Sequence, residues 1–413
     1  MIKAYNKRKI FNDPVYGFIS IKHDLIHDLI EHPYFQRLRN IHQLGMTHLV
    51  YPGALHTRFH HALGAMHLMN RAIETLRNKG VEITEKEAIG ATAAILLHDI
   101  GHGPFSHALE NTFIEGISHE AISLAIMKEI NRQWKGKLDT CIAIFENQYP
   151  KKFLHQLVSS QLDMDRLDYL KRDSFYTGVS EGVISTDRII SMLTLHEDNL
   201  AVEEKGIYSV EKFIIARRLM YWQVYLHKTV IAAENLIINI LKRAKELASK
   251  NKKLFATPAL QFFLYNQINK EDWEKNSAII NHFVLLDDYD IMASIKVWTQ
   301  HNDPVLSDLS KRLIYRNLYK IKIQNTPFDN YLIKQISENL TKKYKWKEEW
   351  THYYIVTGTI QNNAYNPQND KINILKKDGT VYDIADAADL LNIWALSEPV
   401  TKFFLCTPEK IDL

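Results

Sequence analysis

Apolar residues along this chain recur mainly at helical spacing. In "IKHDLIHDLIEHP", Leu25, Ile26, Leu29 and Ile30 fall at three- and four-residue steps, which predicts an amphipathic helix. "TEKEAIGATAAILLHD" starts with Thr84 and, three residues on, Glu87, the pairing of a capping box. Its nearly unbroken apolar run predicts a buried helix, ended by the breakers Gly101 and Gly103. "SHEAISLAIMKEI" starts another helix with Ser118 as its cap. "SMLTLHEDNLAVEEKG" alternates around a polar turn and predicts a short hairpin. Residues 209–250 contain neither Gly nor Pro and predict one long, at most slightly bent, helix.

The pattern changes after "KKYKWKEEW". "THYYIVTGTIQ", "KINILKKDGTVYDI" and "TKFFLCTP" predict strands, with a Lys-Asp-Gly turn marking a hairpin. The fold class expected is mostly α, with a small α+β C-terminal appendage. The expected divisions are a core at 1–245, a helical extension at 246–344 and the α+β region at 345–413.

Composition narrows the class. Of 413 residues, 46% are hydrophobic and 24% charged, enough for a sizeable core. A net charge of +3 gives no strong field for nucleic acid or an anionic membrane. With only Cys141 and Cys406, a disulfide framework and a cysteine zinc site are excluded. The N-terminus shows no secretory apolar segment and no apolar run is long enough to span a bilayer, so a cytoplasmic protein is expected.

The chemistry concentrates in histidines and aspartates. His23-Asp24 and His27-Asp28 sit on the polar face of an amphipathic helix and read as solvated. His98-Asp99 instead follows the apolar run from Ala91 to Leu97, where an imidazole and a carboxylate need partners. At a helix end both can reach one divalent ion, which accepts such nitrogen and oxygen donors. Further donors come from "HTRFHHALGAMHL", where Arg58 and His61 share a face, and from "QLDMDRLDYLKRDSF". There Asp165, Tyr169 and Arg172 fall on one face. A plain charged helix with an internal Asp168–Arg172 pair is the alternative. Arg217, Tyr221, Tyr225 and Lys228 would form one stripe of about 80° on a continuous helix, suited to a polyphosphate and a sugar.

The ordered set His61, His98-Asp99 and Asp165 resembles the H…HD…D signature of the HD-domain metal-dependent phosphohydrolases. "FNDPVYGFI", "FQRLRNIHQLG", "YPGALHTRFHHALG", "LLHDIGHGPFSH", "DMDRLDYLKRD" and "VYLHK" resemble the deoxynucleoside triphosphate triphosphohydrolase branch, in the right order over roughly residues 9–230. The resemblance implies an HD-domain helical core and a metal held by His61, His98, Asp99 and Asp165. It implies His107, Glu110 and His119 as catalytic residues. Gln43, Arg58, Arg166, Tyr169, Asp173, Arg217, Tyr221 and Tyr225 would meet the substrate. Glu110, Arg166 and Tyr221 depart from the aspartate, lysine and histidine of the mammalian-type members. Lys9, Ile10, Glu31, Gln36 and Arg39 fall where those members bind a regulatory nucleotide. "FQRLR" reads equally as a core and salt-bridge helix.

The reaction implied is hydrolysis of a dNTP to deoxynucleoside and triphosphate. It would use one divalent ion (Fe, Mn, Zn, Ni, Co or Mg), with a second Mg bound together with substrate. The implied partners are a nucleotide and further copies of the chain, in a dimer or tetramer. The alternatives are an HD phosphohydrolase acting on a monophosphate, cyclic nucleotide or alarmone, or an oligomer that senses nucleotides or binds single-stranded nucleic acid with little catalysis. The near-neutral charge does not favour nucleic acid.

Overall fold

The computed structural model describes residues 9–411 apart from 277, 363, 368–369 and 389–392. The side chains of 106, 107, 110, 111 and 274 also lie outside the description. The Arg58–Asn78 helix runs through the apolar core, with Ala62, Ala65, Leu68, Met69 and Ala72 buried. It packs against the Glu85–Leu97 helix on one side and the Met164–Thr177 helix on another. Glu85–Leu97 is buried nearly all round, being sandwiched further by the Asp139–Phe145 helix. Its N-terminus carries the expected capping box, Thr84 with Glu87, and Ser118 caps the His119–Gln133 helix. Glu87 also accepts from Tyr149 and Lys151, so the cap ties this helix to the next layer.

The decoy His-Asp pairs lie at and within the Asp24–Glu31 helix, which buries Ile26, Leu29 and Ile30. The expected hairpin pairs Leu193–His196 with Asn199–Glu203. The Lys-Asp-Gly turn joins Asn373–Leu375 to Val381–Asp383. These two hairpins form one four-stranded sheet through a parallel pairing of Asn199–Glu203 with Asn373–Leu375. The Val400–Thr407 strand lies between Val356–Asn362 and Lys320–Gln324. The C-terminal α/β region is therefore tied into earlier parts of the chain by both sheets.

The expected single helix over residues 209–250 is broken. Ile207–Met220 passes into a π-helical turn at Tyr221–Tyr225, and a new helix runs over Lys228–Ser249, bent by 55°. The break needs no Gly or Pro. His227 adopts an extended conformation and its ring accepts from the Thr229 N–H at 3.2 Å, capping the second helix. Such π-turns often occur at functional sites. Among the described residues no single helix is long and apolar enough to cross a membrane.

Candidate active site

His61 lies in the first turn of its long helix, and His98 and Asp99 follow the last residue of the Glu85–Leu97 helix. Asp165 lies in the first turn of the Met164–Thr177 helix, which Asp163 caps by accepting from the Arg166 N–H at 2.7 Å. Helix packing brings these termini together. His61 Nε2 lies 3.4 Å from His98 Nε2 and 3.0 Å from Asp165 Oδ1. Asp99 Oδ1 lies 3.3 Å from His98 Nε2, and Asp99 Oδ2 lies 3.8 Å from His61 Nε2.

Both imidazoles are fixed from behind. His61 Nδ1 donates to Asp168 at 2.8 Å, and His98 Nδ1 donates to the Ile95 carbonyl at 2.6 Å. Each ring thus presents its Nε2 lone pair to the same point, an arrangement characteristic of metal-bound histidines. The two nitrogens and the carboxylates of Asp99 and Asp165 fit a divalent cation. Burial pushes the His61 imidazole down, but the carboxylates of Asp165 and Asp168 outweigh it and raise it to about 10. His98 is likewise lowered by burial and raised, on balance, by Asp99 and Asp165. Burial works against ionisation of Asp165, yet its bonds to His61 and His98 hold it far below the usual carboxylate range.

The support is dense. Asp168 also receives two hydrogen bonds from Arg172, at 2.9 and 3.0 Å, and Arg172 donates to Asp13 at 2.7 Å. The charged-helix alternative is thus right about the Asp168–Arg172 pair, while Arg172 does not join Asp165 and Tyr169 in the cavity. Gly64 makes room: a Cβ there would lie 2.0 Å from Asp168 Oδ1 and 2.2 Å from an Arg172 nitrogen. Gly101 is needed for the same reason, since its Cβ would lie 2.3 Å from the His119 carbonyl. The left-handed residue of this turn is Phe105, not a glycine.

The cluster opens into a cavity of about 420 Å³. Arg58, Asp99, His102, His119, Asp165 and Arg166 line its polar end. Arg58 forms an ion pair with Asp99. Arg166 is held through Nε by the Ser160 carbonyl at 2.6 Å and by Asp163. His102 lies 3.2 Å from Asp99 Oδ1 and stacks on His119 with centroids 3.9 Å apart. Burial and the nearby Arg58 hold its imidazole well below the usual range, so it is neutral. Tyr169, Asp173, Tyr221, Tyr225 and Gln43 line the adjoining wall. Asp173 accepts from Tyr225 at 2.7 Å and from His56 at 2.7 Å.

Other expected residues stand elsewhere. Arg217 does not line the cavity. It donates to Gln161 at 3.1 Å and lies 5.9 Å from the Tyr221 ring. Lys228 is exposed, because the helix break takes it off the stripe of Arg217, Tyr221 and Tyr225. The side chains of His107 and Glu110 lie outside the description, although both residues belong to the Ser106–Phe113 helix. At the N-terminus Lys9 pairs with Glu31, Arg39 donates to Gln36 at 2.7 Å and stacks 3.6 Å over Phe59, and Ile10 is exposed.

Three participants escaped sequence reasoning. Arg37 is buried and donates to the carbonyls of Ile100, His102 and Leu286, pinning the turn after His98-Asp99. Asp288 accepts from His42 and from the Phe105 N–H, fixing the same turn from the other side. Glu234 reaches the cavity from the Lys228–Ser249 helix. Nothing in the local sequence of Arg37 or Glu234 separates them from surface charges.

Residues 58–173 match the model of the HD domain, and residues 184–261 match that of the HD associated region. The uncharacterized protein YwfO of Bacillus subtilis is 35% identical over 322 residues, covering 76% of this chain and 72% of that protein. The chain belongs to the HD-domain family. A phosphohydrolase from Bacteroides thetaiotaomicron has a crystal structure with a TM-score of 0.94 and 52% identity, covering 97% of this chain and 100% of its own. The deoxynucleoside triphosphate triphosphohydrolase SAMHD1 of Gallus gallus is 27% identical over 374 residues, 78% of this chain. The match covers only 58% of that relative. HD-domain membership and this structural neighbour support phosphohydrolase activity, and the His/Asp cluster could hold its divalent metal.

Proposed function

We propose that this HD-domain protein hydrolyses dNTPs to deoxynucleoside and triphosphate. The observation that carries the reading is one cavity joining the His/Asp cluster to Arg58 and Arg166 and then to a wall of tyrosines around Asp173. A nucleoside triphosphate has the same order: a polyanion, a sugar hydroxyl face and an aromatic base.

In this reading His61, His98, Asp99 and Asp165 hold a divalent ion, which would polarise a phosphate oxygen and acidify a bound water. Arg58 and Arg166 neutralise the phosphates, with Arg217 steadying Tyr221 and the Gln161 turn. Asp173, Tyr225 and Gln43 engage the sugar, and Tyr169 and Tyr221 flank it. Water adds to the α-phosphorus, the bond from phosphorus to the 5′ oxygen breaks, and His119 or His107 protonates that oxygen. Glu110 belongs to the same acid–base group. A homo-oligomer and a regulatory nucleotide at Lys9, Ile10, Glu31, Gln36 and Arg39 are proposed on the same family resemblance.

The test is incubation of metal-loaded protein with each dNTP, followed by separation of products. Triphosphate and deoxynucleoside are expected, with loss of both in Asp165→Ala. If neither product forms with any metal, the reading is wrong. A panel of monophosphates, cyclic nucleotides and alarmones then identifies another phosphoester substrate.

A further inference from the structure

The carboxylates lining the cavity differ in how they are engaged. Asp99 meets Arg58, His98 and His102, Asp165 meets His61 and His98, and Asp173 meets Tyr225 and His56. Glu234 has no hydrogen bond or ion pair among the described residues. Its helix, Lys228–Ser249, packs on the Gly45–Leu49 turn and the Ser106–Phe113 helix. Glu234 therefore enters from a wall other than the helices that carry the His/Asp cluster. Leu44, Phe105, Tyr225 and Leu226 line the same cavity. Flat apolar surfaces suit the faces of a base.

Charge restricts what Glu234 can meet. A carboxylate facing the triphosphate would repel it, whereas one facing the uncharged base gains charge-assisted hydrogen bonds. A carboxylate accepts two donors side by side. Guanine alone among the four bases offers adjacent donors on one edge, at N1–H and the 2-amino group. Adenine and cytosine place an acceptor nitrogen beside their amino group, and thymine sets one N–H between two carbonyls.

Resting on the dNTP reading above, we propose that Glu234 is a specificity-determining residue that takes the N1–H and 2-amino donors of guanine on its two carboxylate oxygens, making dGTP the preferred substrate. Burial alone raises this carboxyl to about 7. Donors from a bound base would restore the ionised form.

The experiment compares kcat/KM for dGTP, dATP, dCTP and dTTP in the metal-loaded wild type, Glu234→Gln and Glu234→Leu. Wild type is expected to favour dGTP, and Glu234→Leu to lose about 10- to 100-fold on dGTP, as expected for hydrogen bonds to a charged group, with dTTP changed less than about 2-fold. Glu234→Gln, with one acceptor removed, is expected to fall between. Melting temperature checks folding; neither variant should lose stability, since no partner of the carboxyl is stranded. An equal loss on all four substrates, or no preference for dGTP in wild type, overturns the assignment. Calorimetric binding of dGMP and dTMP separates the two readings. If no dNTP yields triphosphate but dGMP binds better than dTMP and Glu234→Leu abolishes the difference, the dNTP reaction fails while the Glu234 assignment stands. If dGMP and dTMP bind equally, the assignment fails whatever the reaction.

Discussion

Asp168 accepts from His61 Nδ1 at 2.8 Å while receiving two hydrogen bonds from Arg172, so one buried carboxylate orients an imidazole and neutralises a buried guanidinium. All three side chains are excluded from solvent. The cluster depends on this relationship as much as on its own donors, because it sets which nitrogen of His61 faces the cavity.

Asp168→Asn keeps the shape and removes the charge. The amide can donate to His61 and invert its tautomer, taking the Nε2 lone pair from the cluster. Metal affinity should fall roughly 10- to 100-fold, the usual cost of losing such a partner. Metal titration followed by elemental analysis checks this. Unchanged affinity would show that Asp168 does not orient His61.

Arg172→Met leaves Asp168 and Asp13 buried without their shared cation. A loss of about 3–5 kcal/mol is expected, because an uncompensated charge is costlier than a missing pair. Urea denaturation measures it. The double change Arg172→Met with Asp13→Asn should lose less than the sum of the single changes.

Gly64→Ala places a methyl group where Asp168 and Arg172 already lie. The helix must shift or the pair must separate, at about 1–3 kcal/mol for overpacking, with weaker metal binding as the more telling sign. A conventional Gly-to-Ala replacement within a helix would stabilise, so the two expectations differ in sign. Thermal melting with and without metal decides between them.

The raised imidazole of His61 has a pH signature. Its folded value near 10 lies above the ordinary value of about 6.5, so the metal-free protein gains stability that is complete below about pH 6.5. That contribution is lost as pH rises towards 10. Metal binding requires the neutral ring, so loading should release protons and tighten as pH rises. Calorimetry in buffers of different ionisation heat counts the protons. Loading without proton release near pH 7 would contradict the raised value.

Much of this is legible in the sequence. The order His61, His98-Asp99, Asp165, the Thr84–Glu87 cap and the C-terminal hairpin are local patterns, set by neighbours a few residues apart. The decoy pairs could be set aside because Asp24–Glu31 buries Ile26, Leu29 and Ile30 and leaves its acids outside. Arg172 and Lys228 were harder. Arg172 has two carboxylates to choose between, and only the approach of Asp13 shows which face it takes. Lys228 shares a stripe with Arg217 only if the helix continues, and a histidine cap after a π-turn ends it.

By itself the sequence determined the family, the helical class and which histidines and aspartates are candidates to hold a metal, because those depend on residue type and short spacing. Tertiary structure decided which histidine nitrogen faces the centre, why residue 64 has no side chain, and that Arg37, Asp288 and Glu234 belong to the site. Those outcomes depend on contacts between segments far apart in the chain. Their energies come from burial and from charges paired out of water, and no local pattern records either.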